Sequence, residues 1–345
     1  MEVDGSFGEG GGQILRTAVC FSMVLGVPIH VTKIRAGRRI PGLRPQHSAT
    51  LKILSQICSA DVSGGGVGST ELTFAPGSLT KKRMSFDLGT AASIPLVLQA
   101  VIPAVSLMRG SFDMELVGGT DVPWSPTSDY LESVVGPAMK AIGISFSFHV
   151  ERRGYYPNGG GRARVHIDPC EHVNALRLTE PVGLQEGPAV VSRCSKLPVK
   201  VAERQANAAV AVLRGRGVET AKKDVFLEDS ISPGSSILVS LVGEGCFVGA
   251  DSIGAPGKPA ESVGREAAQT FLGASAGGAT VDSHLADMLA PVLCMSDSSS
   301  TLLIPEVTQH LETSLHVAKQ FTSSDYEFSR VADVTMMSIS PPGAK

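Results

Sequence analysis

One order of elements recurs three times along the chain, and that recurrence restricts its possible folds more than any single motif does. The order is helix, strand, helix, strand, strand. In the first copy the apolar spacing of residues 13–25 (QILRTAVCFSMVL) predicts a helix closed by Gly26. A strand at 29–35, a helix at 46–59 and strands at 61–63 and 70–75 around the turn GGGVG complete it. The second copy begins with an apolar helix at 90–108, where Pro95 and Pro103 mark breaks or a kink. Strand 112–117, helix 127–142 and strands 144–151 and 162–167 follow, the last two flanking the turn YYPNGGG. The third copy has helix 281–294, strand 301–304, helix 307–320 and strands 325–330 and 333–339.

The third copy is delayed by residues 178–276, which carry strands (188–193, 236–241, 245–249) and helices (201–214, 260–272) of their own. A small α/β domain inserted at 178–276 accounts for the delay. The large repeat-built domain is then 1–177 together with 277–345, and the fold class is α+β. Such an insertion brings residues distant in sequence around one cleft.

The chain has 345 residues, 43% of them hydrophobic, which is ample for a buried core. The longest N-terminal apolar stretch, 14–29, carries Arg16 and stops at Pro28. It falls short of the ~20 residues a membrane helix needs. Glu2, Asp4 and Glu9 stand upstream where an export signal would be basic. Six cysteines are widely spaced with no CxxC, as expected of reduced, buried thiols in a cytoplasmic protein rather than of a zinc site or disulfide framework.

The net charge is −3, but its distribution is uneven. No acidic residue lies between Glu9 and Asp61, a window that holds Arg16, Lys33, Arg35, Arg38, Arg39, Arg44 and Lys52. A solvated basic face would normally intersperse acids, so the pattern suits phosphates. Within it, IRAGRRIPGLRPQH (34–47) presents arginine forks at 35, 38, 39 and 44, with Gln46 and His47 as neutral donors at the start of a helix.

The run GEGGGQILR (8–16) precedes a helix, so its backbone N–H groups suit an anion. Gln13 stands where a dinucleotide fingerprint requires glycine, and no Lys-Ser/Thr follows to make a Walker loop. A carboxylate in a phosphate-facing loop is unfavourable without an intervening cation, which makes Glu9 a candidate Mg²⁺ or Mn²⁺ ligand. Gln99 interrupts an apolar helix; its amide needs a partner, either a base edge or ordinary backbone. His284 and Asp287 lie three apart on one helical turn, and His310 sits at a helix start in TQHLET. Residue types alone leave both readings open for these last positions, a solvated surface or a site.

DGSFGEGGGQILR, IRAGRRIPGLRPQH, VGGTDVPWSP, GYYPNGGG, LPVKVAERQ, HLADM and TQHLET, in this order and over essentially the whole chain, resemble RNA 3′-terminal phosphate cyclases. The resemblance implies three αβαββ units similar to the C-terminal domain of translation initiation factor three, with a thioredoxin-like insert. It implies ATP-dependent conversion of an RNA 3′-phosphate end to a 2′,3′-cyclic phosphate, releasing AMP and pyrophosphate through a histidine–AMP intermediate. ATP, Mg²⁺ or Mn²⁺ and RNA with a 3′-phosphate end are then the expected co-substrate, metal and partner.

By motif position the resemblance makes His310 the nucleophile and Glu9 the metal ligand. It assigns phosphate contacts to Arg16, Arg38 and Arg39, alongside the Arg35 fork, with Gln46 and His47 in the same pocket. Gln99, Pro126, His284, Leu285, Ala286, Asp287 and Met288 would meet the nucleotide. One departure stands out, since bacterial members commonly have an adenine-stacking tyrosine where this chain has His284. Two rival readings are a non-catalytic cyclase-like RNA-processing factor, which would lack the nucleophilic histidine, and an enolpyruvyl transferase, whose arginine-lined cleft binds small phosphorylated acids.

Overall fold

The computed structural model describes all residues except 9, 10, 80, 81, 90, 181, 182, 244, 344 and 345. The chain opens with β1 (Glu2–Asp4), α1 (Gly12–Leu25), β2 (Ile29–Thr32), α2 (Pro45–Cys58), β3 (Asp61–Ser63) and β4 (Leu72–Ala75). These strands form a sheet in the order β1-β2-β4-β3. The first pair is parallel and the other two are antiparallel.

Next come β5 (Arg83–Asp87), α3 (Ile94–Leu107), β6 (Phe112–Gly118), α4 (Ser128–Tyr130), a π-helical turn (Leu131–Val135), α5 (Gly136–Ala141), β7 (Phe146–Arg152) and β8 (Gly161–Ile167). Their sheet runs β5-β6-β8-β7, again with one parallel pair followed by two antiparallel ones. A two-residue strand, β9 (Arg177–Leu178), precedes β10 (Ala189–Ser195), α6 (Lys200–Arg214), β11 (Lys222–Glu228), β12 (Gly234–Gly243), β13 (Cys246–Ile253) and α7 (Ala260–Ala274). Strands β10 to β13 make a separate sheet in the order β11-β10-β12-β13. The chain closes with α8 (Ser283–Leu293), β14 (Ser300–Ile304), α9 (Gln309–Thr322), β15 (Asp325–Val331) and β16 (Val334–Ser340). β9 joins this last group in a sheet ordered β9-β14-β16-β15.

The architecture is thus a mixed α+β arrangement of four small mixed sheets and their helices. Three of the sheets share one strand order, each beginning with a parallel edge strand that the periodicity did not predict. The reason is length and exposure. β1 has three residues and β9 two, and β5 is mostly open to solvent, so no apolar alternation develops. β11 (KKDVFLE) was likewise missed, because an edge strand with a charged start carries little core signal.

Other boundaries follow local chemistry. β2 ends at Thr32, not 35, because Lys33 and Arg35 turn through left-handed backbone (φ 50° and 57°). α3 starts at Ile94, where the Ser93 hydroxyl accepts from the Leu96 N–H at 3.2 Å, and it runs unbroken through Pro103. Pro95 falls in its first turn, where no intrahelical N–H is needed.

One cluster of buried apolar side chains joins the three like-ordered sheets, from Val3 to Ile339. A second, from Val190 to Phe271, fills the β10–β13 sheet with α6 and α7. The two parts meet across buried charge. The Arg153 guanidinium reaches Asp121 at 3.1 Å, Asp129 at 3.0 Å and Glu228 at 2.5 Å, with 4% of its side chain exposed. Arg193 of β10 also pairs with Asp129, at 2.7 Å. All six cysteines are free and buried, and burial pushes the Cys20 thiol up to about 12. No helix among the described residues is long and apolar enough to cross a membrane.

Candidate active site

Helix α1 packs against α3 and α9, and α8 packs against α9. Between α1, α3 and α8 lies a cleft that is partly open to solvent. Its polar lining is Gln13, Arg16, Gln99 and Asp287; Met288, Phe21 and Pro103 are among its apolar walls. Four expected nucleotide contacts (Arg16, Gln99, Asp287, Met288) therefore converge from three segments.

His310 is exposed in the first turn of α9. Thr308 caps that helix: its hydroxyl accepts from the Leu311 N–H at 2.9 Å and donates to the Asp287 carboxylate at 2.6 Å. Asp287 thus anchors the start of the helix that carries His310. A second tether comes from α1. Arg16 donates to the Gln13 amide oxygen at 2.9 Å, and the Gln13 amide nitrogen donates to the Ser314 hydroxyl at 2.7 Å. Ser314 in turn donates to the His310 carbonyl at 2.9 Å. Neither Thr308, Ser314 nor the positive role of Gln13 was anticipated. Thr308 could have been read as a helix cap, but Gln13 and Ser314 are 301 residues apart and only the fold joins them.

The glycine-rich loop lies against the same helix. The Phe7 ring stacks on His316 at 3.7 Å between centroids, and a side chain at Gly8 would meet the Thr313 hydroxyl at 2.4 Å. Phe7 and Gly8 therefore lie along α9, against residues one turn apart on that helix. Glu9, the expected metal ligand, lies outside the described residues. Among those described, no group of three or more His, Cys, Asp and Glu side chains could hold a metal.

The arginine segment wraps the start of α1. His47 is buried, and its Nδ1 accepts from the Arg44 N–H at 3.2 Å, which leaves the ring proton of the neutral form on Nε2. Burial first, then the Arg16, Arg35 and Arg44 charges, lower its pKa to about 4. Burial also lowers Arg16, to about 10. Arg35 is lowered by burial and by repulsion from Arg38 and Arg44, and its buried Nε has no hydrogen-bond partner among the described residues. A side chain at Gly11 would lie 3.6 Å from the Arg38 guanidinium, so that group covers the N-terminus of α1. Mutually repelling cations at a helix N-terminus form a cradle whose natural complement is an anion. Arg39 is exposed beside it.

A search of known families decides the kinship: the profile of the RNA 3′-terminal phosphate cyclases matches residues 7–328. The chain belongs to the RNA 3′-terminal phosphate cyclase family. Curated proteins of that name from Hyperthermus butylicus and Thermococcus kodakarensis are each 42% identical to it, over 94% and 95% of this chain and 93% and 94% of their own. One from Caldivirga maquilingensis is 38% identical over 99% of this chain and 98% of its own. The solved enolpyruvyl transferase NikO from Streptomyces tendae shares 11% identity at a TM-score of 0.28, covering 98% of this chain and 65% of its own, too low to bear on the argument.

Within this cyclase-family chain the expected contacts differ in exposure. Leu285 and Ala286 are fully buried in the core, on the face of α8 opposite the exposed His284 and the half-buried Met288. Their side chains pack into the core, so a nucleotide would meet them through the backbone. The Gln46 amide exchanges two hydrogen bonds with the Ser93 backbone, at 2.8 and 3.1 Å, and so ties α2 to the start of α3. His284 is exposed and Pro126 half-buried. Next to Pro126, the Thr127 N–H donates to the Asp251 carboxylate at 2.6 Å. Burial raises Asp251 to about 6 against the hydrogen bonds from Thr127.

Two predictions arise from His47. A methyl group at Gly12 would sit 2.1 Å from its Nε2, so Gly12→Ala must displace the ring. The expected cost is about 1–3 kcal/mol of stability and at least about tenfold in activity; calorimetry and turnover assays of the variant check it. The second concerns pH. Above the ordinary value of 6.5 the ring is neutral in both folded and unfolded chains. Between 6.5 and about 4 only the unfolded chain takes up the proton, so stability falls with acid, by up to about 3 kcal/mol. Urea unfolding of wild type and His47→Gln at about pH 7.5 and about pH 4.5 should show this loss largely missing from the variant.

Proposed function

We propose that the protein is an ATP-dependent RNA 3′-phosphate cyclase acting in the cytoplasm, with His310 as its nucleophile. The observation that supports this most is the double tether of the His310 helix turn. Asp287–Thr308 holds it on one side and Arg16–Gln13–Ser314 on the other, both from residues lining the cleft.

In this reading ATP occupies the cleft beside Gln99 and Met288, with His284 and Pro126 toward the base and Arg16 toward the phosphates. A ring nitrogen of His310 attacks the α-phosphorus; an N–P bond forms and the bond to pyrophosphate breaks. The positive end of α9 favours the charge that builds on the α-phosphate. An oxygen of the RNA 3′-phosphate, held by Arg35, Arg38 and Arg39 with neutral His47 beside them, then takes the AMP from His310. The vicinal 2′-OH attacks the activated 3′-phosphorus, loses its proton and expels AMP, closing the ring. Oxide is too poor a leaving group for direct closure, and the adjacent hydroxyl is already in reach, so adenylation supplies what proximity cannot. Glu9 would hold Mg²⁺ or Mn²⁺, which when bound neutralises phosphate charge.

The same reading takes residues 1–177 and 277–345 as a catalytic domain of three units resembling the C-terminal domain of translation initiation factor three. Residues 178–276 are then a thioredoxin-like insert. RNA ending in a labelled 3′-phosphate tests the activity. Its label should become resistant to phosphatase only when both protein and ATP are present. Label that stays phosphatase-sensitive with active, ATP-binding protein would overturn the reading.

A further inference from the structure

The only tryptophan of the chain stands almost wholly in solvent. Trp124 is 97% exposed, and its backbone is left-handed (φ 61°), a conformation that costs a non-glycine residue energy. A fully solvated indole and a strained backbone coincide at one position, and among the described residues no ring contact of Trp124 offsets either. The turn is nonetheless built firmly. The Ser125 hydroxyl donates to the Val122 carbonyl at 2.9 Å, and Thr127 is fixed to Asp251. Asp121, three residues earlier, is held in the Arg153 cluster. Strain maintained by a rigid surround at an exposed ring points to a ligand.

The neighbours of the turn suggest the chemical class of that ligand. Gly119 pairs with Ser93, and Ser93 is bonded twice to Gln46, the neighbour of His47. The segment leading into the Trp124 turn is thus joined through Ser93 and Gln46 to the helix that begins at the arginine segment. A second exposed aromatic leaves the same place: Asp121 pairs with Tyr155, and the next residue, Tyr156, is 68% exposed. Aromatic rings beside a cationic groove are the means by which single strands are bound, since every base offers a face to stack on.

We propose that Trp124 is a stacking platform for a base of the RNA strand behind its 3′-phosphate, with Tyr156 as a second platform; this rests on the cyclase reading above. Stacking there holds the strand while the arginines hold its terminal phosphate. It favours no base strongly, so it selects single-stranded ends over paired ones.

The lone tryptophan makes intrinsic fluorescence a site-specific probe. A short oligouridylate ending in a 3′-phosphate should quench Trp124 emission in step with binding read independently by anisotropy of labelled RNA. Trp124→Ala should raise the KM for this RNA about tenfold, leave the KM for ATP unchanged, and be largely rescued by Trp124→Phe. Removing one base from the RNA should weaken binding to wild type but not to Trp124→Ala. RNA that binds and is cyclised without changing the emission, with Trp124→Ala equal to wild type, would overturn the platform and leave the cyclase reading standing. RNA that neither binds nor is cyclised would overturn both. A fluorescence change that follows protein concentration without RNA would mark the ring as a protein contact and overturn the inference.

Discussion

His310→Ala should reduce conversion of RNA 3′-phosphate ends by at least about 10³-fold, because a methyl group cannot accept AMP. The fold should survive, since His310 is exposed and its tether to Ser314 runs through the backbone carbonyl. The loss should be specific to the first step. RNA supplied already adenylated at its 3′-phosphate should still be cyclised by the variant at a rate approaching wild type, because the 2′-OH attack does not use the imidazole. His316→Ala is the matched control. That ring lies two turns along the same helix and stacks on Phe7, so its removal should cost no more than about tenfold. Equal activity of His310→Ala and wild type on unadenylated RNA would remove His310 from the chemistry.

Arg153→Ala should have the largest effect on stability. The side chain is buried among Asp121, Asp129 and Glu228, and Arg193 compensates only the last two. Asp121 would keep the Thr120 hydroxyl at 2.7 Å and the Ser128 N–H at 3.3 Å, but no cation. Removing one partner of such a buried set costs about 3–5 kcal/mol. Burial already raises the Asp121 pKa despite Arg153. Without that charge it rises further, so the folded variant binds a proton that the unfolded chain has lost. The sign follows: stability of the variant falls as pH rises above the ordinary carboxylate value, and the penalty is larger at about pH 8 than at about pH 5. Urea unfolding at the two pH values measures it. A loss under about 1 kcal/mol would mean that the cluster does not join the two cores.

These two sites differ in how readable they were. The arginines at 16, 35, 38 and 39 stood out because a window of some fifty residues lacked any acid; in the fold the charges of Arg16 and Arg35, with Arg44, act on His47 beside the start of α1, and Arg38 approaches Gly11. Helices α1, α2 and α9 were legible from apolar spacing to within two residues, because each buries one continuous stripe. The short edge strands β1, β5 and β9 were not, since an edge has little core to face. Nor could spacing tell that Leu285 and Ala286 turn inward while Asp287 turns to Thr308; that needs the phase of α8 against its neighbours. The Arg153 cluster was invisible for another reason. Its members lie at 121, 129, 153, 193 and 228, and each alone reads as an ordinary surface charge. The Gln13–Ser314 bond is the extreme case, with the two ends of the chain meeting beside the proposed nucleophile.

The most direct test of the account is to incubate wild type, His310→Ala and His316→Ala with ATP labelled at the α-phosphate and Mg²⁺ or Mn²⁺, then separate the proteins under denaturing conditions. The account predicts acid-labile label on wild type and His316→Ala and none on His310→Ala. Folded, ATP-binding wild type that takes up no label with either metal, or label that persists on His310→Ala, would contradict it.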